Sequence, residues 1–146
     1  MHPFVRFARA GDRKKVEELL QNGADVHEEE DRALREACGN GDYEMVKLLL
    51  DWGADVHAQG EKALFRAAYR GHREVVQLLL ERGADLHAQE ESALRLAVES
   101  GALETVKLLL DSGADASAKE NLALTRAMHH GNSEMIKLLQ QLTVDS

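Results

Sequence analysis

The sequence has few residues of the kinds that cross-link a chain or anchor it in a membrane. Cys38 is the single cysteine among 146 residues, so no intramolecular disulfide can form. This favours a reducing, intracellular compartment, and we expect the cytoplasm. No uninterrupted apolar run approaches the ~18 residues that a membrane-spanning helix needs. Arg6 and Arg9 interrupt the apolar stretch at the N-terminus, which argues against a secretory signal.

Motifs of catalysis and of phosphate binding are also absent. The sequence contains no G-x-x-x-x-G-K-[ST], G-x-G-x-x-G, G-x-S-x-G or H-E-x-x-H. His27, His57 and His87 recur every 30 residues, which invites a metal hypothesis. Units stacked roughly 8–10 Å apart cannot place such histidines ~2.1 Å from one zinc ion, so hydrogen bonds that hold a loop explain them better. We expect no enzymatic activity, no catalytic residue, no cofactor and no metal.

Glycine is regularly placed rather than abundant. Nine of the eleven glycines lie in two series with 30-residue spacing, namely Gly11, Gly41, Gly71, Gly101 and Gly131, and Gly23, Gly53, Gly83 and Gly113. The phrases GDYEMVKLLLDWGADVHA, GHREVVQLLLERGADLHA and GALETVKLLLDSGADASA recur in the same register. A strict period of this size indicates a stacked solenoid, in which each unit covers the apolar face of its neighbour.

The apolar spacing predicts two helices in each unit, followed by an extended loop. Leu64 and Ala67 lie three residues apart on one face of a short first helix, and Val76 and Leu79 line the inner side of a second helix. The glycines are predicted to end these helices. The predicted N-caps are Asp12, Asp42 and Asn132 for second helices, and Asp31, Glu61, Glu91 and Asn121 for first helices.

The pattern G-[DHN]-x-E-[MVT]-[VI]-K-L-L-L-x-x-G-A-D resembles the second helix and following loop of the ankyrin repeat, over essentially residues 4–140. The resemblance implies an all-α, ankyrin-like helical repeat solenoid of about five two-helix units. The whole chain, 1–146, is then one domain with units near 3–32, 33–62, 63–92, 93–122 and 123–146. The charged first unit and the polar end of the last unit are predicted caps. The last unit trails into Gln140, Gln141, Thr143, Asp145 and Ser146, and its final residues should fray.

One departure from the family pattern concerns the connecting loops. The usual ankyrin repeat has about 33 residues and begins its first helix with T-P-L-H after a hairpin turn. Here Glu61-Lys62-Ala63-Leu64 and its counterparts stand in that place, in a repeat three residues shorter. The hairpin is therefore predicted to shrink to a short loop. Recognition should then shift to the first helices and the groove that they line.

Charge is distributed unevenly between the first helices and the rest of the chain. The five segments 3–10, 33–40, 63–70, 93–100 and 123–130 carry a net charge of +5, whereas the chain carries −8. The segments hold two acids, Glu36 and Glu99, and seven arginines, Arg6, Arg9, Arg35, Arg66, Arg70, Arg95 and Arg126. First helices line the concave face of an ankyrin stack, so the resemblance implies a basic groove that steers acidic partners. Alternatively, the arginines pair with neighbouring acidic loops, each exposed pair contributing ~0–1 kcal/mol.

The third unit has the residue types that are enriched at binding hot spots, in Phe65, Arg66, Tyr69 and Arg70. Phe65 alternatively belongs to the core, whereas Tyr69 should be exposed. Trp52 should lie on the surface, either as a contact for a partner or, as we favour, against Arg82 in a cation–π contact. The candidate partner-binding residues, whose arginines should hold their charged ends in water, are Arg35, Phe65, Arg66, Tyr69, Arg70, Arg95, Glu99, Arg126 and His129.

These patterns favour a monomeric protein–protein interaction scaffold that binds an acidic segment of a partner protein on its concave face. One alternative is an inhibitor or regulator of a specific enzyme. Another is a nucleic-acid-binding module, because a row of arginines could track phosphates. The net charge of −8 and the scarcity of aromatic residues for base stacking weigh against nucleic acid. No membrane partner is expected.

Overall fold

The computed structural model describes the backbone of residues 1–144 and the side chains of residues 1–142. Within this part the chain forms ten α-helices and no β-strand. The first helices of successive units are α1 (Pro3–Ala10), α3 (Glu28–Asn40), α5 (Ala58–Arg70), α7 (Ala88–Ser100) and α9 (Ala118–His130). The second helices are α2 (Arg13–Gln21), α4 (Tyr43–Asp51), α6 (Arg73–Glu81), α8 (Leu103–Asp111) and α10 (Ser133–Val144). The predicted all-α solenoid is confirmed.

Both glycine series end helices as predicted. Gly41 caps α3 at φ 70°, and its four counterparts cap the other first helices at φ 69–79°. Left-handed φ values of this kind favour glycine because it has no Cβ. The second series directly follows the caps of α2, α4, α6 and α8. At the end of the chain, α10 continues to Val144, whereas Asp145 and Ser146 lie outside the described residues.

Side-chain caps begin three of the second helices. The Oδ1 atom of Asp12 accepts a hydrogen bond from the Lys15 N–H at 3.1 Å, and that of Asp42 accepts one from Met45 at 3.2 Å. Asn132 caps α10 in the same way. These predicted N-caps are confirmed.

Three consecutive left-handed residues stand at the start of each first helix after α1. They are residues 29–31, 59–61, 89–91 and 119–121, with φ between 50° and 72°. Gly60 is the one glycine among them, although a residue with a side chain costs about 1–2 kcal/mol in this conformation. The described residues contain no hairpin strand, so the predicted shortening of the connection is confirmed. Other contacts must therefore offset the cost of the left-handed conformation in these turns.

Buried carboxylates supply those contacts. Asp31, Glu61 and Glu91 end three of the turns, and each accepts a hydrogen bond from Nδ1 of the histidine four residues earlier. These histidines therefore hold the loop as predicted. The prediction that the carboxylates are N-caps is wrong, because their hydrogen bonds go to these histidines and, for Asp31 and Glu61, to the next unit rather than to the start of their own helix.

The core repeats with the units. Equivalent leucines of successive units are fully buried. They are Leu34, Leu64 and Leu94 from first helices, and Leu49, Leu79 and Leu109 from second helices. Consecutive first helices pack against each other far more extensively than consecutive second helices do. The first helices therefore lie on the inner side of the stack. The side chains of the first helices that point away from the second helices form the inner surface of the stack.

Candidate protein-binding site

A groove of about 660 Å³ opens over α1, α3 and α5, and we call it the basic groove. Its lining contains six cationic side chains and one carboxylate, which is an unusual balance for a chain of net charge −8. The lining residues are Arg9, Arg32, Arg35, Glu36, Gly39, Asn40, Lys62, Phe65, Arg66, Tyr69, Arg70 and Leu96. A surface with this excess of positive charge attracts groups of opposite charge, although the chain as a whole is acidic.

Helical periodicity places one set of these side chains on a single face of α5. Steps of three, one, three and one residues place five side chains along one face of the helix. They are Lys62, Phe65, Arg66, Tyr69 and Arg70. The neighbouring helix α3 contributes Arg32, Arg35 and Glu36 to the facing wall, and α1 contributes Arg9. The charged part of the groove is therefore shared by three successive first helices.

Glu36 lies at the centre of the arginine cluster. Its Oε2 atom is 3.6 Å from Nη1 of Arg66 and 4.0 Å from Nε of Arg9, while Oε1 accepts a hydrogen bond from Nε of Arg32 at 3.3 Å. Only 15% of the Glu36 side chain is exposed, against 46% for Arg66 and 60% for Arg9. One carboxylate thus gathers guanidinium groups from three helices. Arg9 and Arg66 stand beyond hydrogen-bond length from it, so most of their donors are available to a ligand.

Two aromatic residues border the cations. Tyr69 is 48% exposed, as predicted. Phe65 is half-buried, packs against the core and also lines the basic groove, so it serves both of the roles considered from the sequence. Leu96 extends this apolar side of the groove onto α7.

Arg35 and Arg95 do not hold their charged ends free in water, and that expectation is wrong for them. Nη2 of Arg35 donates to the carbonyl oxygen of Glu29 at 3.1 Å. Nη2 of Arg95 donates to the carbonyl oxygen of Gln89 at 3.0 Å and also contacts the hydroxyl of Ser92. The accepting carbonyls belong to left-handed turns, whose backbone cannot satisfy them within a regular helix. These two arginines therefore support the shortened loops.

The remaining candidates lie further along the stack. Glu99, Arg126 and His129 are exposed on α7 and α9 and do not line the basic groove. The rings of His129 and His130 meet edge to face, with centroids 5.5 Å apart. The structure thus brings together Arg35, Phe65, Arg66, Tyr69 and Arg70, and separates the others from them.

Arg32 and Lys62 line the groove but were not predicted from the sequence. These residues directly precede the segments in which charge was counted, and they occupy the same position in successive units. The 30-residue spacing was the signal that could have found them. Gly39 is the counterpart of Tyr69 at a position that varies between units, but it was not predicted as a binding residue.

Trp52 is 43% exposed, as predicted, but its expected contact with Arg82 is wrong. Nη2 of Arg82 instead donates to Oδ1 of Asp51 at 2.7 Å, in the unit before. This hydrogen bond lowers the pKa of the Asp51 carboxyl. The preference for a nearby carboxylate is expected, since a charge-assisted hydrogen bond is stronger than an exposed cation–π contact.

Other kinds of site find little support in the part of the chain that the structure describes. Its histidines, cysteine and acids form no group of three or more suited to a metal ion. None of its helices combines the length and apolar character needed to cross a bilayer. Cys38 is buried, which raises the pKa of its thiol and keeps it protonated at neutral pH.

Comparisons with known proteins agree with this architecture. A family model described as ankyrin repeats in three copies matches residues 4–90. A second, described as ankyrin repeats in many copies, matches residues 94–140. No curated protein matches the chain. The helical stack and these two matches show that the chain belongs to the ankyrin repeat family, whose repeats are generally protein–protein interaction modules.

Proposed function

We propose that this protein is a non-enzymatic scaffold that binds an acidic segment of a partner protein in the basic groove. The observation that carries the proposal is a groove lined by six cationic side chains from three helices, three of which surround the Glu36 carboxylate, beside one exposed tyrosine. Arginine and tyrosine are the residue types that dominate binding energy at protein interfaces. The proposal takes the protein as a cytoplasmic monomer.

The groove fits a short, extended segment. Its walls run from α1 to α5, which is two helix-to-helix steps of roughly 8–10 Å each. A distance of about 18 Å corresponds to about six residues of extended chain at about 3.3 Å per residue. One step corresponds to about three residues, so acids spaced three apart would meet cations on successive helices.

Preorganisation favours such binding. The guanidinium groups of Arg9, Arg32 and Arg66 already lie within 4.0 Å of the Glu36 carboxylate, so their charges are close together before a ligand binds. Side chains that are already close to their bound positions lose less conformational entropy when the partner binds. The exposed charges mainly raise the association rate, whereas Tyr69 and Phe65 supply area that slows dissociation.

A nucleic-acid ligand fits the surroundings of the groove less well. The left-handed turns beside it expose Glu30 and Glu90, and the chain as a whole carries −8. A polyanion that extended past the groove would meet these acids and be repelled. A short acidic peptide avoids them because it ends within the groove.

Affinity capture from cell lysate tests the proposal. The parent protein, an Arg66→Glu, Tyr69→Ala double variant and a Lys107→Glu control on α8 are compared by quantitative mass spectrometry. We expect a set of proteins with acidic segments that the parent and the control retain and the double variant loses. Equal capture by all three forms would contradict the proposal.

Filter binding of RNA and DNA at two salt concentrations tests the nucleic-acid alternative, which predicts strong, salt-sensitive retention of the nucleic acid.

A further inference from the structure

Gly39 lies in α3 without a backbone or packing reason to be glycine. Its φ is not positive, unlike that of the glycines that cap helices. A Cβ added there would meet only Cδ and Cβ of Arg66, at 3.8 and 4.0 Å, which are ordinary van der Waals distances. Glycine inside a helix is less favourable than alanine by about 0.5–1 kcal/mol. Folding alone therefore does not account for this residue.

Because Gly39 has no side chain, it leaves space at the base of the basic groove. The equivalent residues of the units on either side are Arg9 on α1 and Tyr69 on α5, both large and exposed. Gly39 lines the groove between them and contributes no side chain. The result is a depression flanked by a guanidinium group on one side and a phenol on the other.

The chemistry around this depression suits a carboxylate. Nη1 of Arg66 and Nε of Arg9 lie 3.6 and 4.0 Å from the same oxygen of Glu36, so this one acid only partly satisfies two cations. The side chain of Asn40 donates to the carbonyl oxygen of Arg9 at 2.9 Å, which ties α3 to α1 at the edge of the depression. A second carboxylate in the depression would balance the remaining positive charge of Arg9 and Arg66.

We propose that Gly39 forms the floor of a subsite that takes one acidic side chain of the bound segment. Its carboxylate accepts hydrogen bonds from the guanidinium groups of Arg9 and Arg66, as planar carboxylates do in arginine clusters. The inference rests on the proposed function, because it names one group that the basic groove takes from its partner.

Fluorescence polarisation with a labelled oligoglutamate peptide of about eight residues, long enough to cross the groove, tests the subsite. Gly39→Ala and Gly39→Leu are compared with the parent and with Thr125→Ala, an exposed first-helix change outside the groove. We expect Gly39→Leu to bind roughly tenfold more weakly, as for the loss of one charge-assisted hydrogen bond. Gly39→Ala should bind more weakly than the parent by a smaller factor and melt at the same or a higher temperature. Thr125→Ala should match the parent.

The Arg66→Glu variant distinguishes failure of the subsite from failure of the basic groove as a whole. If Arg66→Glu abolishes peptide binding while both Gly39 variants bind as tightly as the parent, the subsite is wrong and the basic groove stands. If Arg66→Glu binds the peptide as tightly as the parent, both the subsite and the proposed function are wrong. A Gly39→Leu protein that melts at the parent's temperature and binds weakly supports the subsite.

Discussion

The Oδ1 atom of Asp31 accepts a hydrogen bond at 2.8 Å from the backbone N–H of Asp55, one unit further along the stack. Glu61 makes the same bond to the N–H of Asp85, at 3.1 Å. Both carboxylates are buried and also accept from a histidine of their own unit. Each of these side chains therefore holds a left-handed turn in place and joins it to the following loop.

Removing one of these acceptors should destabilise the stack. Glu61→Ala leaves the Asp85 N–H without its side-chain acceptor, so we expect a loss of roughly 1–3 kcal/mol in the free energy of unfolding. Glu120→Ala changes an exposed residue of another turn and should alter stability by no more than about 0.5 kcal/mol. Urea unfolding of both variants measures the difference. Similar small effects at the two positions would show that the carboxylate does not hold the joint.

Two glycine-to-alanine changes should act in opposite directions. Gly60 has φ 67° within a left-handed turn, so Gly60→Ala should destabilise the protein by about 1–2 kcal/mol. Gly39 has helical backbone, so Gly39→Ala should stabilise it by up to about 1 kcal/mol. Thermal melts report both signs. A shift of the same sign for both variants would contradict the backbone assignment at one of them.

Stability should fall as pH rises above neutrality. The hydrogen bond to Glu61 raises the pKa of His57, and the negative charges of Asp55 and Asp85 reinforce the shift. The bond to Glu91 raises the pKa of His87, reinforced by Asp85 and Asp115. A raised folded-state pKa stabilises the protein fully below the unfolded value of about 6.5, and this contribution is lost as pH rises through the folded value.

Urea midpoints measured between about pH 6 and pH 8 cover this window. We expect the midpoint to decrease with pH in the parent and to change less in a His57→Gln, His87→Gln variant. A parent midpoint that rises with pH over this range would contradict the assigned sign.

The sequence predicted helix ends better than it predicted loops. Gly41 and Asp42 act locally, since one ends α3 and the other begins α4, and such effects follow from residue type alone. Asp31 was misassigned because its role depends on three successive left-handed residues, a conformation that glutamate and aspartate rarely adopt. Its partner in the next unit is also 24 residues away.

The basic groove was predictable in part for a similar reason. The repeat placed Arg66, Tyr69 and Arg70 on one helix face, which periodicity alone can reveal. It could not show that Arg95 bends back to the carbonyl oxygens of its own loop, because that choice depends on an unusual turn. Nor could it show that Arg82 prefers Asp51 to Trp52, since all three are close in the stack.

Stability should also differ between the middle and the end of the stack. Leu79 and Leu139 are both fully buried, but within the described residues α6 has units on both sides, whereas α10 belongs to the last unit. Leu79→Ala should cost about 2–5 kcal/mol as a buried large-to-small change. Leu139→Ala should cost clearly less, because the end unit can unfold while the others stay folded. Equal losses in urea melts would show that the stack unfolds as one block.

The central claim is that the basic groove recruits an acidic segment, and the association rate tests it most directly. Stopped-flow mixing with the labelled oligoglutamate peptide is carried out for the parent, an Arg66→Glu, Arg70→Glu variant and a Lys107→Glu, Lys137→Glu control on the second helices. We predict that the groove variant associates far more slowly than the parent at a temperature where both are fully folded, and that the control matches the parent. We also predict that the parent's rate falls as salt rises, since the Debye length is only about 8 Å near physiological ionic strength. A groove variant that associates as fast as the parent would contradict the account.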